Sequence, residues 1–132
     1  MSARSTLSEV TIRSTSSSAA RPGVILLIVN AEESQRVDEN QVRDLSPTVD
    51  GFVLAASRLS DDDLTALAER HRVVLLNREL TGLTSVALAV GAGCQQILEH
   101  LASLGHRSLT YCAGPPGSWM GAVRWAALRS TA

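Results

Sequence analysis

The chain has 132 residues, the length of one small domain or of part of a larger one. Its 12 basic and 13 acidic side chains give a formal net charge of -1, which argues against a general nucleic-acid-binding surface. Aromatic residues make up 3% of the chain, and no window has the apolar length of a membrane span. Cys94 and Cys112 lack metal-ligand spacing and are interpreted as reduced, buried thiols. Since no secretion signal is visible either, we predict a cytoplasmic protein.

Residues 1–22 are rich in serine and threonine and show no apolar period. Such a segment buries too little apolar surface to fold, so we expect an unstructured leader. No two apolar-periodic helices fit into it, so it holds no helix-turn-helix, and we predict no DNA-binding residues.

The first predicted strand and helix follow this leader. Residues 24–29 form a continuous, largely β-branched apolar run, which suits a parallel strand buried on both faces. The mostly polar segment Gln35–Leu45 carries Val37 and Val42 toward the sheet and indicates a helix, which Pro47 ends.

A second buried strand is predicted at Gly51–Ala55, and the loop after it carries Ser57 and Arg58. Ser60 suits the N-cap of the next helix, because residues 61–63 are all aspartate and acids favour the first helical turn. Three aspartates can also suggest a metal site. No other ligands lie nearby in the sequence, so we predict no metal.

The third strand is predicted at residues 73–76, and a short strand at 85–88 leads to a helix over residues 91–104. Gly91 and Gly93 open this helix. Neither glycine-rich phosphate motif is present, so helix packing is the better explanation for both glycines.

A glycine stop and a fourth strand complete the predicted elements. Gly105 follows the last apolar residue of the helix, where a left-handed residue is needed. Residues 108–113 then alternate apolar and polar side chains, and the Gly-Pro-Pro-Gly loop at 114–117 ends the strand. The predicted fold class is α/β, a parallel sheet of these strands with flanking helices, which binds ligands at the carboxyl ends of its strands.

A spaced set of short motifs runs through the second half of the chain: Glu99-His100-Leu101, Leu104-Gly105-His106-Arg107 and Ala113-Gly114-Pro115. The segments at residues 49–54 and 73–78 precede them. The three motifs resemble the core signature of the LacI/GalR transcription regulators. The two earlier segments are similar to that family's VDGxIL and PVVLxNR segments.

The resemblance implies a partial sensor domain of the periplasmic-binding-protein-like (type I) fold. Residues 23–88 would form part of its first lobe, and residues 89–132 the start of its second. We therefore expect a truncated remnant of a transcription regulator that senses a small molecule, in this family a sugar. The resemblance implies DNA contact only through a missing domain, a homodimer in the intact protein, no membrane and no cofactor.

The resemblance also implies the ligand-binding residues. Arg124 matches the arginine that hydrogen-bonds the effector in family members, and a guanidinium offers a planar fork of donors for that purpose. Trp119 could form an apolar wall, while Ser118, Ser57 and Arg58 follow the carboxyl ends of predicted strands and are expected at the same crevice. The residue pattern alone favours a surface arginine and a packed tryptophan.

Two other functions stay open. The chain could be a stand-alone small-molecule (sugar) binding module that does not act on transcription. A flavodoxin-like enzyme would need a phosphate loop or a nucleophile with its base. Ser118 lacks the G-x-S-x-G elbow, and no carboxylate is placed beside His100 or His106, so we predict no catalytic residues and no enzyme.

Overall fold

The computed structural model describes residues 11–13, 26–30 and 34–131. Its elements, in chain order, are β1 (Thr11–Arg13), β2 (Leu26–Ile28), α1 (Gln35–Leu45), β3 (Gly51–Ala55), α2 (Asp61–Ala68), β4 (Arg72–Leu76), β5 (Thr84–Val86), α3 (Val90–Ser103) and α4 (Trp119–Thr131). None of the helices in these ranges has the length and hydropathy needed to cross a bilayer.

The central feature is a three-stranded parallel sheet in the order β3-β4-β5. Gly51 lies opposite Arg72, and a Cβ on this glycine would come within 2.7 Å of the Arg72 carbonyl oxygen, so the first position of β3 requires glycine. At the other end, Ala55 lies opposite Leu76, which lies opposite Val86. The three carboxyl ends therefore form one edge of the sheet, and the α/β class predicted from the sequence is confirmed.

One face of this sheet carries the hydrophobic core. Leu64 of α2 and Leu75 of β4 have no exposed surface, and burying a side chain of this size contributes about 1.5–3 kcal/mol. Leu59, Leu67 and Val73 complete the buried cluster. Half-buried side chains surround it: Val42, Phe52, Leu54, Ala68, Leu80 and Leu83. Since Val42 belongs to α1, both α1 and α2 cover the same face.

The opposite face of the sheet is open. Successive side chains of a strand point to opposite faces, so Val53 points away from the core that Phe52 and Leu54 join. Val53 and Val86 are each 61% exposed. No helix of the described ranges packs against this face, so the structure has one helical layer rather than two.

The predicted parallel strand at residues 24–29 is wrong. Leu26–Ile28 forms a strand, but it pairs antiparallel with Thr11–Arg13 and not with the parallel sheet. Its side chains are also not buried on both faces, since Leu26 and Ile28 are 45% and 47% exposed. An apolar run shows that a segment can be a strand, whereas its partner depends on which backbone lies beside it.

The unstructured leader predicted for residues 1–22 is wrong at Thr11–Arg13, which form β1. Its other residues lie outside the described part of the chain. A high content of serine and threonine predicts that a segment contributes little to a hydrophobic core. A three-residue strand can form without such a contribution, because a neighbouring backbone supplies its hydrogen-bond partners.

The predicted strand at residues 108–113 is also wrong. The segment has no ladder partner among the residues that the structure describes and lies largely on the surface, where Leu109 is 51% exposed. An alternating pattern shows that a segment can be a strand, whereas its pairing depends on which backbone lies beside it. Cys112 is exposed and Cys94 half-buried; both are free thiols, so the interpretation of both as buried is corrected.

Helices α3 and α4 pack against each other. Gly105 ends α3 in the left-handed conformation, with φ +86°, as predicted. The N–H of Gly105 donates to the Ala102 carbonyl at 2.9 Å, and the N–H of His106 donates to the Leu101 carbonyl at 3.1 Å. These bonds satisfy carbonyls that the end of a helix leaves unpaired.

Candidate functional site

Two neighbouring strands end in left-handed residues at the carboxyl edge of the sheet. Ala56, directly after β3, has φ +50°, and Asn77, directly after β4, has φ +56°. The N–H of Ala56 donates to the Leu76 carbonyl, and that of Asn77 donates to the Val86 carbonyl, both at 2.8 Å. Each strand therefore keeps its ladder to the last residue and then turns sharply. Non-glycine residues held in this conformation are uncommon and cluster at functional sites.

Asp38 of α1 holds the loop after β3. Its Oδ2 accepts a hydrogen bond from the Ser57 hydroxyl at 2.9 Å and one from the Arg58 N–H at 2.7 Å. The Ser57 Oγ also accepts from the Leu59 N–H at 3.2 Å. Asp38 and Ser57 are both buried, so the carboxylate satisfies a hydroxyl donor that would otherwise be buried without a partner.

Arg78, two residues after β4, holds the same loop by hydrogen bonds. Its Nη1 donates to the Ser57 carbonyl at 2.9 Å and to the Leu59 carbonyl, and its Nη2 forms an ion pair with Asp61 Oδ1 at 2.7 Å. The Arg78 side chain is 9% exposed and that of Asp61 is 68% exposed. The Nε of Arg78 is buried and has no hydrogen-bond partner in the described part of the chain. We call the group of Asp38, Ser57, Arg58, Asp61 and Arg78 the edge network.

The five predicted ligand residues lie on different elements. Ser57 and Arg58 belong to the edge network, where the Ser57 side chain is buried and bonded. Ser118 precedes α4 as its N-cap, because its Oγ accepts from the Gly121 N–H at 3.1 Å and its carbonyl accepts from the Ala122 N–H at 2.9 Å. Trp119 is half-buried in the first turn of α4, and Arg124 is exposed further along the same helix.

An apolar cleft of about 350 Å³ lies between α4 and the segment before it. The Tyr111 and Trp125 rings stack at its wall, with centroids 5.8 Å apart and planes inclined by 15°. The Cζ atom of Arg129 lies 5.9 Å from the centroid of the Trp125 ring. Nine residues line the cleft: Tyr111, Ala113, Gly114, Pro115, Pro116, Ser118, Gly121, Ala122 and Trp125. Among the predicted ligand residues, Ser118 belongs to this lining.

The run of aspartates at residues 61–63 belongs to a helix N-terminus. Ser60 is the N-cap of α2, as predicted: its Oγ accepts from the Asp63 N–H at 3.1 Å, and its hydroxyl donates to Asp63 Oδ2. Within the described ranges, no group of three or more histidine, cysteine, aspartate or glutamate side chains is arranged to hold a metal ion.

Comparison with known proteins identifies no family. No family model matches the chain, and no solved structure matches it. The chain is 36% identical over 74 residues to histidinol dehydrogenase of Yersinia pestis, a match that covers 54% of this chain. It covers 17% of that enzyme, so the chain spans less than a fifth of the length of this curated relative.

Sequence reasoning missed Asp38, Asn77 and Arg78, although the sequence carries a signal for the first two. Asp38 lies four residues before Val42 and so shares the core-facing stripe of α1, where a carboxylate needs a partner. Asn77 follows a strand directly, and asparagine is among the residues that tolerate the left-handed conformation. No local pattern indicates that Arg78 reaches a loop some 20 residues earlier, because that contact depends on the parallel pairing of β3 and β4.

Proposed function

We propose that this chain senses a small polar effector, a sugar, as part of the effector domain of a LacI/GalR-type transcription regulator with the periplasmic-binding-protein-like (type I) fold. The resemblance of residues 49–54 and 73–78 to that family supports the proposal. These segments coincide with β3 and β4, whose carboxyl ends carry the edge network. In open α/β sheets, ligands bind outside the carboxyl ends of the strands.

The observation that carries the proposal is the pair of left-handed residues at adjacent strand ends. Backbone strain of this kind persists where the surroundings enforce it, and ligand-binding sites are among the places where it clusters. Asn77 is half-buried, and no hydrogen bond from the described ranges occupies its side-chain amide. An amide both donates and accepts, which suits the hydroxyl groups of a sugar.

In this proposal Arg124 supplies a second set of donors from α4, and Ser118 and Trp119 contribute from the start of the same helix. On this proposal the chain has no catalytic role and works in the cytoplasm. The protein forms a homodimer and contacts DNA through a DNA-reading domain. The similarity to histidinol dehydrogenase supports no enzymatic alternative, because it covers too small a part of that protein.

Calorimetry against a panel of neutral mono- and disaccharides tests the proposal. We expect one sugar to bind with a dissociation constant of about 1 mM, equivalent to about -4.1 kcal/mol. Asn77→Ala and Arg124→Ala each remove donors and should weaken binding by about two- to tenfold. Arg107→Ala, which removes another exposed arginine, is the matched control and should bind like the parent. A panel without any binder, or variants that bind like the parent, would contradict the proposal.

A further inference from the structure

The face of the parallel sheet that points away from the core is an unpartnered apolar surface. Alternation along the strands and the register of the sheet place five apolar side chains on it: Val53, Ala55, Val74, Leu76 and Val86. Val53 and Val86 are more than half exposed. Parallel sheets occur almost only with both faces covered, so a second layer belongs on this surface, which we call the open face.

Helix α3 carries a matching apolar stripe. Ile97, Leu101 and Leu104 recur at the spacing of one helical face, and we call these three residues the α3 stripe. Ile97 and Leu104 are 57% and 62% exposed, and no residue of α3 is buried although α3 packs against α4. Since a surface helix normally turns its apolar stripe toward a core, the α3 stripe marks a contact surface.

A tight turn sets the direction of α3 relative to the sheet. Ala89, the residue before α3, has φ -75° and ψ 58°, and the N–H of Val90 donates to the Leu88 carbonyl at 2.8 Å. These are the dihedral angles and the hydrogen bond of an inverse γ-turn, a low-energy conformation. With this turn in place, the open face and the α3 stripe of the same chain are both exposed. A second copy can bring its stripe to the open face without any change in the turn.

The charge distribution favours one pairing between two copies over the others. Acidic side chains outnumber basic ones in residues 34–89, which contain the sheet, whereas residues 90–131 hold three arginines and a single acidic residue, Glu99. Two sheets facing each other would bring net negative charge together, and two pairs of α3 and α4 would bring net positive charge together. The helix pair of one copy and the sheet of the other carry opposite net charge, which favours their contact.

We propose that two copies of this chain form a symmetric dimer in which the α3 stripe of each copy covers the open face of the other. Both contacts form between the same two copies, so the assembly closes at the dimer. One such contact is small beside the about 800 Å² per partner that a standard interface buries, and the reciprocal arrangement doubles it. We therefore expect a weak dimer with a dissociation constant of about 10 μM, well below which each chain behaves as the monomer. The proposal rests on these surfaces and not on sugar sensing.

Sedimentation equilibrium of the full chain, from about 1 to 300 μM, tests the proposal. We expect a monomer–dimer equilibrium. Val53→Asp on the open face and Ile97→Asp on the α3 stripe should each weaken association about tenfold or more, because each would bury an unpaired charge. Gln95→Asp introduces the same group on the opposite side of α3 and is the matched control, which should associate like the parent. A parent chain that stays monomeric throughout this range would overturn the proposal.

The two aspartate variants also identify which surfaces meet. If two open faces paired with each other, only Val53→Asp would weaken the dimer, and if two α3 stripes did, only Ile97→Asp would. Either result overturns the proposal. An equimolar mixture of the two variants should associate more strongly than either variant alone, because one of its two contacts joins an intact stripe to an intact face.

Cross-linking tests the same contact without a charged substitution. In a Cys94→Ser, Cys112→Ser chain, which has no native thiol, Val53→Cys and Ile97→Cys are conservative changes at exposed positions. A short bismaleimide, added to a mixture of the two single-cysteine chains well above the dissociation constant, should join one chain of each kind. Gln95→Cys in place of Ile97→Cys should give no such product. Absence of the mixed dimer would overturn the proposal. A chain with both Val53→Cys and Ile97→Cys that cross-links only within itself would also overturn it, because α3 would then cover its own sheet.

Discussion

Ala56 and Asn77 share one backbone conformation but differ in what it costs. In the left-handed region the Cβ of an ordinary residue approaches the following carbonyl oxygen, at a cost of about 1–2 kcal/mol. The short polar side chain of asparagine offsets part of this cost by local hydrogen bonding, whereas alanine has no such group. Ala56 is therefore the more strained of the two, although it lies at the end of a regular strand.

Ala56→Gly is expected to stabilise the protein. Glycine relieves the left-handed strain of about 1–2 kcal/mol but loses more conformational entropy on folding, about 0.5–1 kcal/mol. The net gain in the free energy of unfolding should be about 0.5–1 kcal/mol, measured by urea denaturation. Ala55→Gly is the matched control inside β3, where φ is ordinary, and should destabilise. Equal effects of the two substitutions would contradict the assignment of strain to Ala56.

Arg78 is a second residue whose environment determines its role. It is buried, yet its ion-pair partner Asp61 is largely in water, so the pair with Asp61 contributes little. The main partners of the Arg78 guanidinium are therefore the backbone carbonyls of Ser57 and Leu59, in the loop after β3. A guanidinium reaches both with one nitrogen while a second nitrogen faces Asp61, a geometry that lysine cannot reproduce.

Arg78→Lys should lower the free energy of unfolding by about 2–3 kcal/mol, because hydrogen bonds from a charged donor are lost in a buried position. Asp61→Asn should cost less than about 1 kcal/mol, since it removes only the exposed partner. Arg72→Lys, on the exposed side of β4, serves as the matched control. If Asp61→Asn proved as damaging as Arg78→Lys, the ion pair and not the loop carbonyls would hold the site.

At the scale of single elements, α2 shows how local sequence sets a helix boundary. Ser60 accepts the N–H of the third helical residue, and three aspartates fill the first turn, where the helix dipole favours negative charge. This helix supplies Leu64 and Leu67 to the core, so its N-terminus fixes how they meet β4. The capping interaction was predictable because every partner lies within four residues.

Ser60→Ala should cost about 1 kcal/mol of unfolding free energy, since the Asp63 N–H loses its acceptor at the helix start. Thr65→Ala changes an exposed position in the middle of the same helix and is the control, with an effect below about 0.5 kcal/mol. Chemical denaturation followed by circular dichroism measures both. A Ser60→Ala variant as stable as Thr65→Ala would show that the cap contributes nothing.

At the scale of the whole molecule, the described elements fall into three packing groups. β3, β4, α1 and α2 contribute to the core around Leu64 and Leu75, and β5 joins them by pairing with β4. Helices α3 and α4 pack against each other, and β1 pairs with β2. Cooperativity between elements depends on shared buried surface. We therefore expect the helical pair and the sheet to open separately.

Leu64→Ala should destabilise the sheet by about 2–5 kcal/mol, because it leaves a cavity at a fully buried position. Hydrogen exchange should report faster exchange of β3 and β4 amides, while α3 amides keep the protection that they have in the parent. Val53→Ala removes a side chain that is 61% exposed and should change neither the stability of the sheet nor the exchange of these amides. Equal loss of protection in α3 would show that the sheet and the pair of helices α3 and α4 fold as one unit.

Elements whose causes are local could be predicted from the sequence alone. The bounds of α1, the cap of α2, the glycine that ends α3 and the strand at Gly51–Ala55 were predictable, since residues within a few positions decide each of them. The pairing of strands was not. Residues 24–29 and 108–113 carry strand patterns as clear as that of β4. Within the first, Leu26–Ile28 pairs antiparallel, and the second pairs with no strand of the described ranges.

The candidate sites could not be predicted from the sequence either, because they too depend on contacts between distant parts of the chain. The edge network joins residues 17 to 21 positions apart in the sequence, and it exists because parallel pairing of β3 and β4 ends both strands at one edge. The aromatic cleft likewise needs α4 to lie beside a segment that forms no strand. Sequence pattern records which side chains are apolar or can hydrogen-bond, but a hydrogen bond or a stacked ring depends on distances that only the packed chain sets.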